Sequence, residues 1–186
     1  MNRLKHHASR LIAVGSLAGA LFIGKTAAQA QYPDFPVALP LQLLGNIPTN
    51  TVIMNIINGD QLNDFGWLTW DGNTSDATLI ASLTPPGNST NYVNPDNLAD
   101  HNLVVGDWVL SRPSIAKKNV RSALDNLVSV DIIVPVFDAV RGSGSTLAYH
   151  VAAFAQVQLV GYRVSPHNII SVFFVGFVDC SGGPGV

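Results

Sequence analysis

The sequence contains no glutamate, and charged residues make up only 12% of its 186 positions. All twelve acidic residues are aspartate, which favours turns and helix caps where glutamate favours helix interiors. This absence predicts many loops and little helix. Because 47% of the residues are hydrophobic, a buried core is easy to fill, and the surface must depend largely on uncharged polar side chains.

Basic residues are scarce once the first thirty positions are set aside. Four of the ten lysines and arginines precede position 31, where no acid occurs, so the remainder has six basic and twelve acidic residues. Its net charge is therefore −6. Since nucleic-acid affinity depends largely on lysine and arginine contacts to phosphates, this balance argues against a nucleic-acid partner.

Cysteine occurs only once, at Cys180, so no intrachain disulfide is possible and the fold must be stabilised by burial. We interpret Cys180 as an inert thiol, with pairing to another molecule as the alternative. Outside the first thirty residues, His101, His150 and His167 are not spaced as metal ligands. The sequence predicts no cofactor.

The first thirty residues have the organisation of a secretory signal peptide. A basic stretch that ends at Arg10 precedes an apolar run, Leu11 to Ile23, and the cleavage motif Ala28-Gln29-Ala30 follows. We predict cleavage after Ala30 and export; Lys25, close to the cut, keeps an uncleaved N-terminal anchor as the alternative. After Ala30 no apolar run is long enough for a membrane-spanning helix.

Prolines and turn residues divide the rest of the chain. We predict a Pro-rich extended lead-in over residues 31–50, a single β-rich domain over 51–180 and a Gly-rich tail over 181–186. Within the domain, β-branched runs predict strands, and apolar residues at helical spacing predict two short helices. The predicted strands are 51–57, 65–70 and 103–110; the predicted helices are 77–83 and 120–127; a polar loop covers 84–102.

The longest apolar part of the chain runs from Ile132 to Val178 and predicts three successive strands joined by two turns. Pro135 places the first strand at an edge or a bulge. The second strand is long enough to require a bend near Ala152–Ala155 or Gly161. Runs of strands without alternating helices favour a mainly β fold, an antiparallel small barrel or sandwich with one or two short helices.

Four residues around one predicted turn, Asp138, Ser143, Ser145 and His150, are candidates for catalysis. An acid, a base and a hydroxyl can form a nucleophilic triad, so a small secreted hydrolase is one alternative function. No G-x-S-x-G motif supports it. We prefer a structural interpretation, in which Asp138 bonds the backbone of the Gly-rich turn and His150 is its partner.

Two further sets of residues are candidates for binding. Asp71, Asn73, Ser75 and Asp76 have part of the spacing of a calcium loop, but the central glycine and closing glutamate are missing, which favours turn formation. Trp70 and Tyr92 are candidates for a carbohydrate-binding surface.

Trp70 is the tryptophan that we expect to be exposed, while Trp67 and Trp108 are expected in the core. Neighbours in a strand alternate in direction, so Trp67 and Trp70 point to opposite faces. Both can be buried only if that strand is covered on both sides. A carbohydrate-binding module is therefore the second alternative function.

Seven fragments in sequence order resemble a known module. They are Phe65–Leu68 (FGWL), Val105–Val109 (VGDWV), Val120–Asp125 (VRSALD), Val134–Asp138 (VPVFD), Gly142–Gly144 (GSG), Tyr149–Ala155 (YHVAAFA) and Gly161-Tyr162. Over residues 62–178 they resemble the C-terminal module of secreted or membrane-anchored TadE/TadG-like proteins, which are associated with Flp pilus assembly. The resemblance implies an extracytoplasmic setting, a structural or binding role and no catalytic residues.

Taken with the export signal, this resemblance predicts a secreted, non-enzymatic structural or binding module that acts at the cell envelope, in the setting of pilus or surface assembly. Its expected partner is an envelope or surface protein, or a glycan. The hydrolase and the carbohydrate-binding module stay open as alternatives.

Overall fold

The computed structural model describes residues 34–113, 115 and 118–178. The predicted signal peptide, Cys180 and the Gly-rich tail lie outside these residues. The described chain is mainly β, as predicted, with short helices. None of its helices combines the length and the apolar character needed to cross a membrane.

Seven strands and three helices are formed by the described residues. The strands are β1 (Val37–Pro40), β2 (Thr51–Ile57), β3 (Gly66–Thr69), β4 (Trp108–Ser111), β5 (Asp131–Arg141), β6 (Ala148–Arg163) and β7 (Ile169–Val178). The helices are α1 (Leu41–Leu44), α2 (Asp76–Leu83) and α3 (Lys118–Asp125). Single 3-10 turns occur at Ser89–Asn91 and Gly144–Thr146.

All seven strands belong to one sheet, in the order β2-β7-β6-β4-β3-β1-β5, and β5 pairs in addition with β6. This extra pairing joins five strands in a circuit, so the sheet closes partly on itself, while β7 and β2 extend it beyond β6. The predicted antiparallel arrangement holds for every strand pair except β1 with β5, which is parallel.

That parallel strand comes from the segment that we predicted as an extended lead-in. Val37–Pro40 is extended, but it pairs with β3 on one side and β5 on the other, and all four residues are buried. Prolines stand only before and at the end of the strand, so Val37 to Leu39 keep their N–H donors. The lead-in therefore supplies an inner strand of the sheet.

Local signals place most other elements close to where they were predicted. β2 spans the predicted residues, and α2 begins after Ser75, whose side chain accepts a hydrogen bond from Thr78 N at 3.2 Å, as an N-cap does. The strand predicted over 103–110 is shorter. β4 begins only at Trp108, because Gly106, with φ of +101°, turns the chain just before it.

β5, β6 and β7 form the predicted unit of three long antiparallel strands, and β6 is irregular near the predicted bends. Its register against β5 skips Ala152, and its register against β7 shifts at Gly161. Pro135 is also accommodated as expected, because the pairing of β5 with β1 begins only at Val136.

β1 and β3 are buried on both faces. Trp67 belongs to one hydrophobic cluster and its neighbour Leu68 to a second, and Val37 and Ala38 divide in the same way. The first cluster includes residues of α2 and α3, which cover that side of the sheet. The second includes residues of the loop between α2 and β4, so this loop covers the other side.

A buried asparagine attaches the turn between β6 and β7 to the first cluster. Asn168 Oδ1 accepts hydrogen bonds from Trp67 Nε1 and Ile115 N, both at 2.8 Å. Its Nδ2 donates to Ile115 O at 2.8 Å and to Val164 O at 3.0 Å. Asn168 is only 6% exposed, and both of its amide atoms are fully used, so this network holds the turn in one position.

Candidate functional site

The predicted acid–base pair forms at the surface of the sheet. His150 Nδ1 lies 2.6 Å from Asp138 Oδ1, and the two side chains are 30% and 44% exposed. The register of β5 against β6 passes from Phe137–Val151 to Ala139–His150 and leaves Asp138 as the extra residue of a bulge. The bulge therefore brings the carboxylate beside the imidazole.

The hydroxyls of the predicted triad do not join this pair. Ser143 and Ser145 are exposed in the turn between β5 and β6, and Ser143 caps the 3-10 turn there. In the described part of the chain, no hydrogen bond links either serine to His150. The turn is closed by Thr146 Oγ1, which accepts from Ser143 N at 3.3 Å and donates to Ser143 O at 2.9 Å. Asp138 thus bonds His150 and not the turn.

Three more side chains extend the pair into a larger surface cluster that the sequence did not predict. One of them is Trp108, which we expected in the core but which is only half-buried. Trp108 is opposite His150 in the pairing of β4 with β6, and the ring centroids are 5.1 Å apart. Arg141 Cζ lies 4.3 Å from the centroid of the indole ring, and Arg141 Nη2 lies 2.5 Å from Asp96 Oδ1. We name Asp96, Trp108, Asp138, Arg141 and His150 the Trp108 cluster.

The Trp108 cluster mainly attaches the loop before β4 to the sheet. Both basic groups already have a carboxylate partner, and Arg141 covers part of one face of the indole. Exposed polar contacts of this kind contribute about 0–1 kcal/mol each. The signal that could have found Trp108 is the alternation in β4, where Trp108 and Leu110 are half-buried and their neighbours are buried.

Trp70 and Tyr92, the predicted carbohydrate-binding residues, are buried at 2% and 0% exposure. Both lie in the second hydrophobic cluster, and Tyr92 Oη donates a hydrogen bond to Trp108 O at 3.0 Å. The prediction of an exposed Trp70 is wrong, because β3 is covered on both faces. Neither ring is free to stack on a sugar.

The predicted calcium ligands form a turn and a helix cap. Asp71 Oδ1 accepts from Asn73 N, and Asn73 Oδ1 accepts from Ser75 N, both at 2.9 Å. Ser75 caps α2, and Asp76 Oδ1 lies 3.4 Å from Arg112 Nη2. Among the described residues, no three metal-binding side chains gather in one place. These contacts are the turn chemistry that the sequence analysis preferred.

In the loop before β4, aspartate side chains accept hydrogen bonds from N–H groups of the same loop. Asn94 Nδ2 donates to Asp100 Oδ2 at 3.2 Å and to Asp107 Oδ1 at 3.0 Å, and Val104 N donates to Asp107 Oδ2 at 2.8 Å. Burial raises the pKa of Asp107, and the hydrogen bond from Val104 opposes this rise. The nearby Asp100 and Asp96 raise that pKa further.

One carboxyl group is enclosed near the start of the described chain. Asp34 is 4% exposed, and burial raises its pKa to about 7, while a side-chain hydrogen bond with Ser89 opposes the rise. The hydroxyl of Ser89, which is fully buried, accepts a hydrogen bond from Asp34 N at 2.7 Å. Because solvent hardly reaches the Asp34 carboxyl group, this group affects the stability of the fold and cannot contact a substrate.

The first hydrophobic cluster contains a cavity of about 20 Å³ that is lined only by apolar side chains, among them Phe35, Trp67 and Leu159. A void of this size holds about one water molecule, and an apolar lining leaves it dry. The cavity therefore has no room for a substrate or a cofactor.

The outer side of β2 combines exposed apolar side chains with main-chain groups that no described strand pairs with. Among the described strands β2 pairs only with β7, so its other side directs N–H and C=O groups outward, apart from Ile57 O, which accepts from Phe65 N at 2.9 Å. Val52, Met54 and Ile57 are 47%, 61% and 51% exposed. We name this side of Thr51–Ile57, with these three side chains, the β2 edge.

Comparisons of the chain with family models, with curated proteins and with solved structures find no match. The resemblance to the TadE/TadG-like module stays a prediction that depends on the seven fragments. In the structure most of these fragments coincide with β3, β4, α3, β5 and β6. Most of the other candidate residues are buried or bonded to each other. The candidate site that the described residues support best is therefore the β2 edge, where main-chain N–H and C=O groups can pair with another strand.

Proposed function

We propose that this chain is exported and acts at the cell envelope as a non-enzymatic structural or binding module. The observation that carries the binding role is the β2 edge, a seven-residue strand without charge or proline that exposes three apolar side chains. Proteins normally protect such edges with charged residues, proline or bulges, because a bare edge is a template for pairing with another strand. β2 has a bulge only after Ile53, so its first part has none of these protections. An edge of this kind is suited to being covered by a partner.

Two further observations support a role without catalysis. The cavity in the first cluster has about the volume of one water molecule, and its lining is apolar. The exposed acid–base pair, Asp138 and His150, has no serine within hydrogen-bond distance in the described chain. The export part of the proposal is supported by the signal-like first thirty residues and by the TadE/TadG-like fragments.

Export is tested by fractionating cells that express the full chain with a C-terminal tag and by sequencing the N-terminus of the recovered protein. We expect the protein in the envelope or the medium, starting at Gln31. As a control, Ala30→Asp keeps the apolar run but disrupts the cleavage motif, so this variant should keep its first thirty residues. A wild-type protein that stays in the cytoplasm would contradict the proposal.

A hydrolase is the second candidate, and the 2.6 Å hydrogen bond between His150 and Asp138 is the observation that favours it. Ester, peptide and glycoside substrates are assayed with the wild type, with His150→Ala and with His167→Ala, a control at an exposed histidine. We expect no activity from any of the three. Turnover that is lost only in His150→Ala would establish the hydrolase and overturn the non-enzymatic role.

A further inference from the structure

The partner of the β2 edge is the question that the proposed function leaves open. We infer that it is a second copy of this chain, and that two copies pair β2 to β2 in antiparallel fashion about a two-fold axis. This inference deepens the proposed binding role and rests on it. Three observations carry it: the charge distribution, the apolar face beside the edge and the bulge within β2.

Charge allows two copies to meet at this place. From residue 31 onward the chain carries a net charge of −6, so two copies repel each other over most of their surface. Neither Thr51–Ile57 nor Ile169–Val178 contains a charged residue. The end of the sheet formed by β2 and β7 is therefore a place where two copies approach without bringing carboxylates together, and where a basic partner would find no opposite charge.

The side chains on this end of the sheet suit a two-fold contact. Val52 is paired with Phe173 and Ile57 with Ile169, so the exposed residues of β2 continue on half-buried apolar residues of β7. Asn55 and the buried Ser171 lie between these two pairs. A two-fold axis perpendicular to the sheet places the same face of the second copy beside this one. The apolar residues of one copy then contact the same residues of the other copy.

The bulge in β2 sets the extent of the contact. The register against β7 shifts between Ile53 and Ile56, and Asn55 has φ of +60°. Bulges end regular pairing, so the segment available to a second copy is Thr51–Met54. A contact of four residues on each side buries less area than stable dimers need, and we therefore expect a weak dimer that forms with rising concentration.

Sedimentation velocity on the purified exported chain, from about 1 µM to about 1 mM, tests this pairing over the range in which weak contacts associate. Reducing agent is present so that Cys180 cannot link two copies. We compare the wild type with Met54→Lys and Val52→Lys at the edge, and with Leu98→Lys, a control at a residue that is 73% exposed in the loop before β4. Thermal unfolding of each variant identifies any that is misfolded.

We expect the wild type and Leu98→Lys to shift towards dimer at the same concentrations. Both edge variants should associate at least tenfold more weakly, because each adds one lysine per copy to the contact, where the two-fold axis brings the like charges close together and where a lysine opposes edge pairing. Two variants at the edge keep the test decisive if one of them fails to fold.

Three results would overturn the β2 pairing: a wild type that stays monomeric at every concentration, a dimer that survives both edge substitutions, or a dimer that Leu98→Lys weakens equally. These results leave the proposed function standing if the chain is still recovered outside the cytoplasm. Failure of export contradicts the proposed function, whatever the oligomeric state.

Discussion

β2 and β3 are both short strands of mainly apolar residues, yet the sheet treats them differently. All four residues of β3 are buried, whereas β2 exposes Val52, Met54 and Ile57 along its length. β3 lies between β1 and β4 and is covered by one hydrophobic cluster on each face, while β2 is the last strand of the sheet. Position in the sheet, and not apolar content, therefore decides which of the two strands is core and which is surface.

We expect the largest loss of stability from a substitution at Asn168, whose buried hydrogen bonds attach the turn between β6 and β7 to the first hydrophobic cluster. Asn168→Ala removes the partners of Trp67 Nε1, of Ile115 N and O and of Val164 O, and leaves these buried groups unpaired. We expect a loss of about 3–4 kcal/mol in the free energy of unfolding, measured by urea titration. Asn126→Ala, at an exposed position, is the control and should change it by less than about 0.5 kcal/mol. Equal effects would mean that the network contributes nothing.

Buried and exposed apolar residues can also be compared within β2, because one of its residues, Ile56, belongs to the core. Ile56 is 5% exposed and Met54 is 61% exposed. We expect Ile56→Ala to lower the free energy of unfolding by about 2–3 kcal/mol and Met54→Ala by less than about 0.5 kcal/mol. Denaturant unfolding at low protein concentration keeps association from contributing. A large loss in Met54→Ala would show that the β2 edge is covered within the monomer.

The glycine of β3 is a second test of how closely the inner strands are packed. A Cβ on Gly66 would lie 2.3 Å from Tyr149 Cζ, and this ring is held by a 2.8 Å hydrogen bond from Tyr149 Oη to Gly59 O. We expect Gly66→Ala to cost about 1–3 kcal/mol, as overpacking does. Gly161→Ala is the matched control, since nothing lies within 4 Å of its Cβ, and it should cost far less. Thermal unfolding of both variants checks the difference.

The buried carboxyl of Asp34 predicts a pH dependence. Its pKa rises from 3.8 to about 7 on folding, so between these pH values the folded chain keeps a proton that the unfolded chain has lost. The free energy of unfolding should therefore fall as pH rises through this window, and this contribution should be constant above it. The shift alone corresponds to at most about 4 kcal/mol, and we expect about 1–2 kcal/mol because buried sites relax around a charge.

Asp34→Asn isolates this contribution from other groups that titrate in the same window. The difference between the wild type and the variant, measured by denaturant unfolding at several pH values, should slope between about pH 4 and pH 7 and flatten above. A difference that does not vary with pH would mean that the carboxyl reaches water in the folded chain.

The smallest effect is expected at the exposed acid–base pair. His150→Ala removes the hydrogen bond to Asp138 and the contact with Trp108, and both partners stay solvated. We expect a loss of less than about 1 kcal/mol in the free energy of unfolding. A loss above about 2 kcal/mol would mean that the Trp108 cluster contributes as much to stability as buried residues do, although its side chains are exposed.

Much of the fold could be predicted from short-range signals. The β-branched run Thr51–Ile57 is β2, the Ser75 cap starts α2, and the long run from Ile132 forms β5 to β7. β1 could not be predicted in this way, because its four residues are extended only through partners that lie far along the chain, near Trp67 and Val136. Prolines on both sides made the same segment resemble a surface lead-in.

The candidate sites likewise divide into those that short-range signals predicted and those that depend on distant parts of the chain. Asp138 and His150 were predicted to be partners because twelve residues and one turn separate them, and the structure pairs them. Trp70 and Trp108 were assigned to the wrong surroundings, because alternation says only that neighbours point in opposite directions. Whether each side is covered depends on distant elements: the loop before β4 covers the face that holds Trp70, whereas Trp108 of β4 stays half-buried on its face of the sheet.

By itself, the amino-acid sequence determined the β-rich character, the scarcity of helix and the positions of most strands and turns, because propensity and periodicity act between near neighbours. Only the tertiary structure shows that β1 is an inner strand, that both faces of β3 are covered and that β2 has β7 as its one partner among the described strands. These features depend on strand order, and strand order follows from pairings between residues that are far apart in the chain.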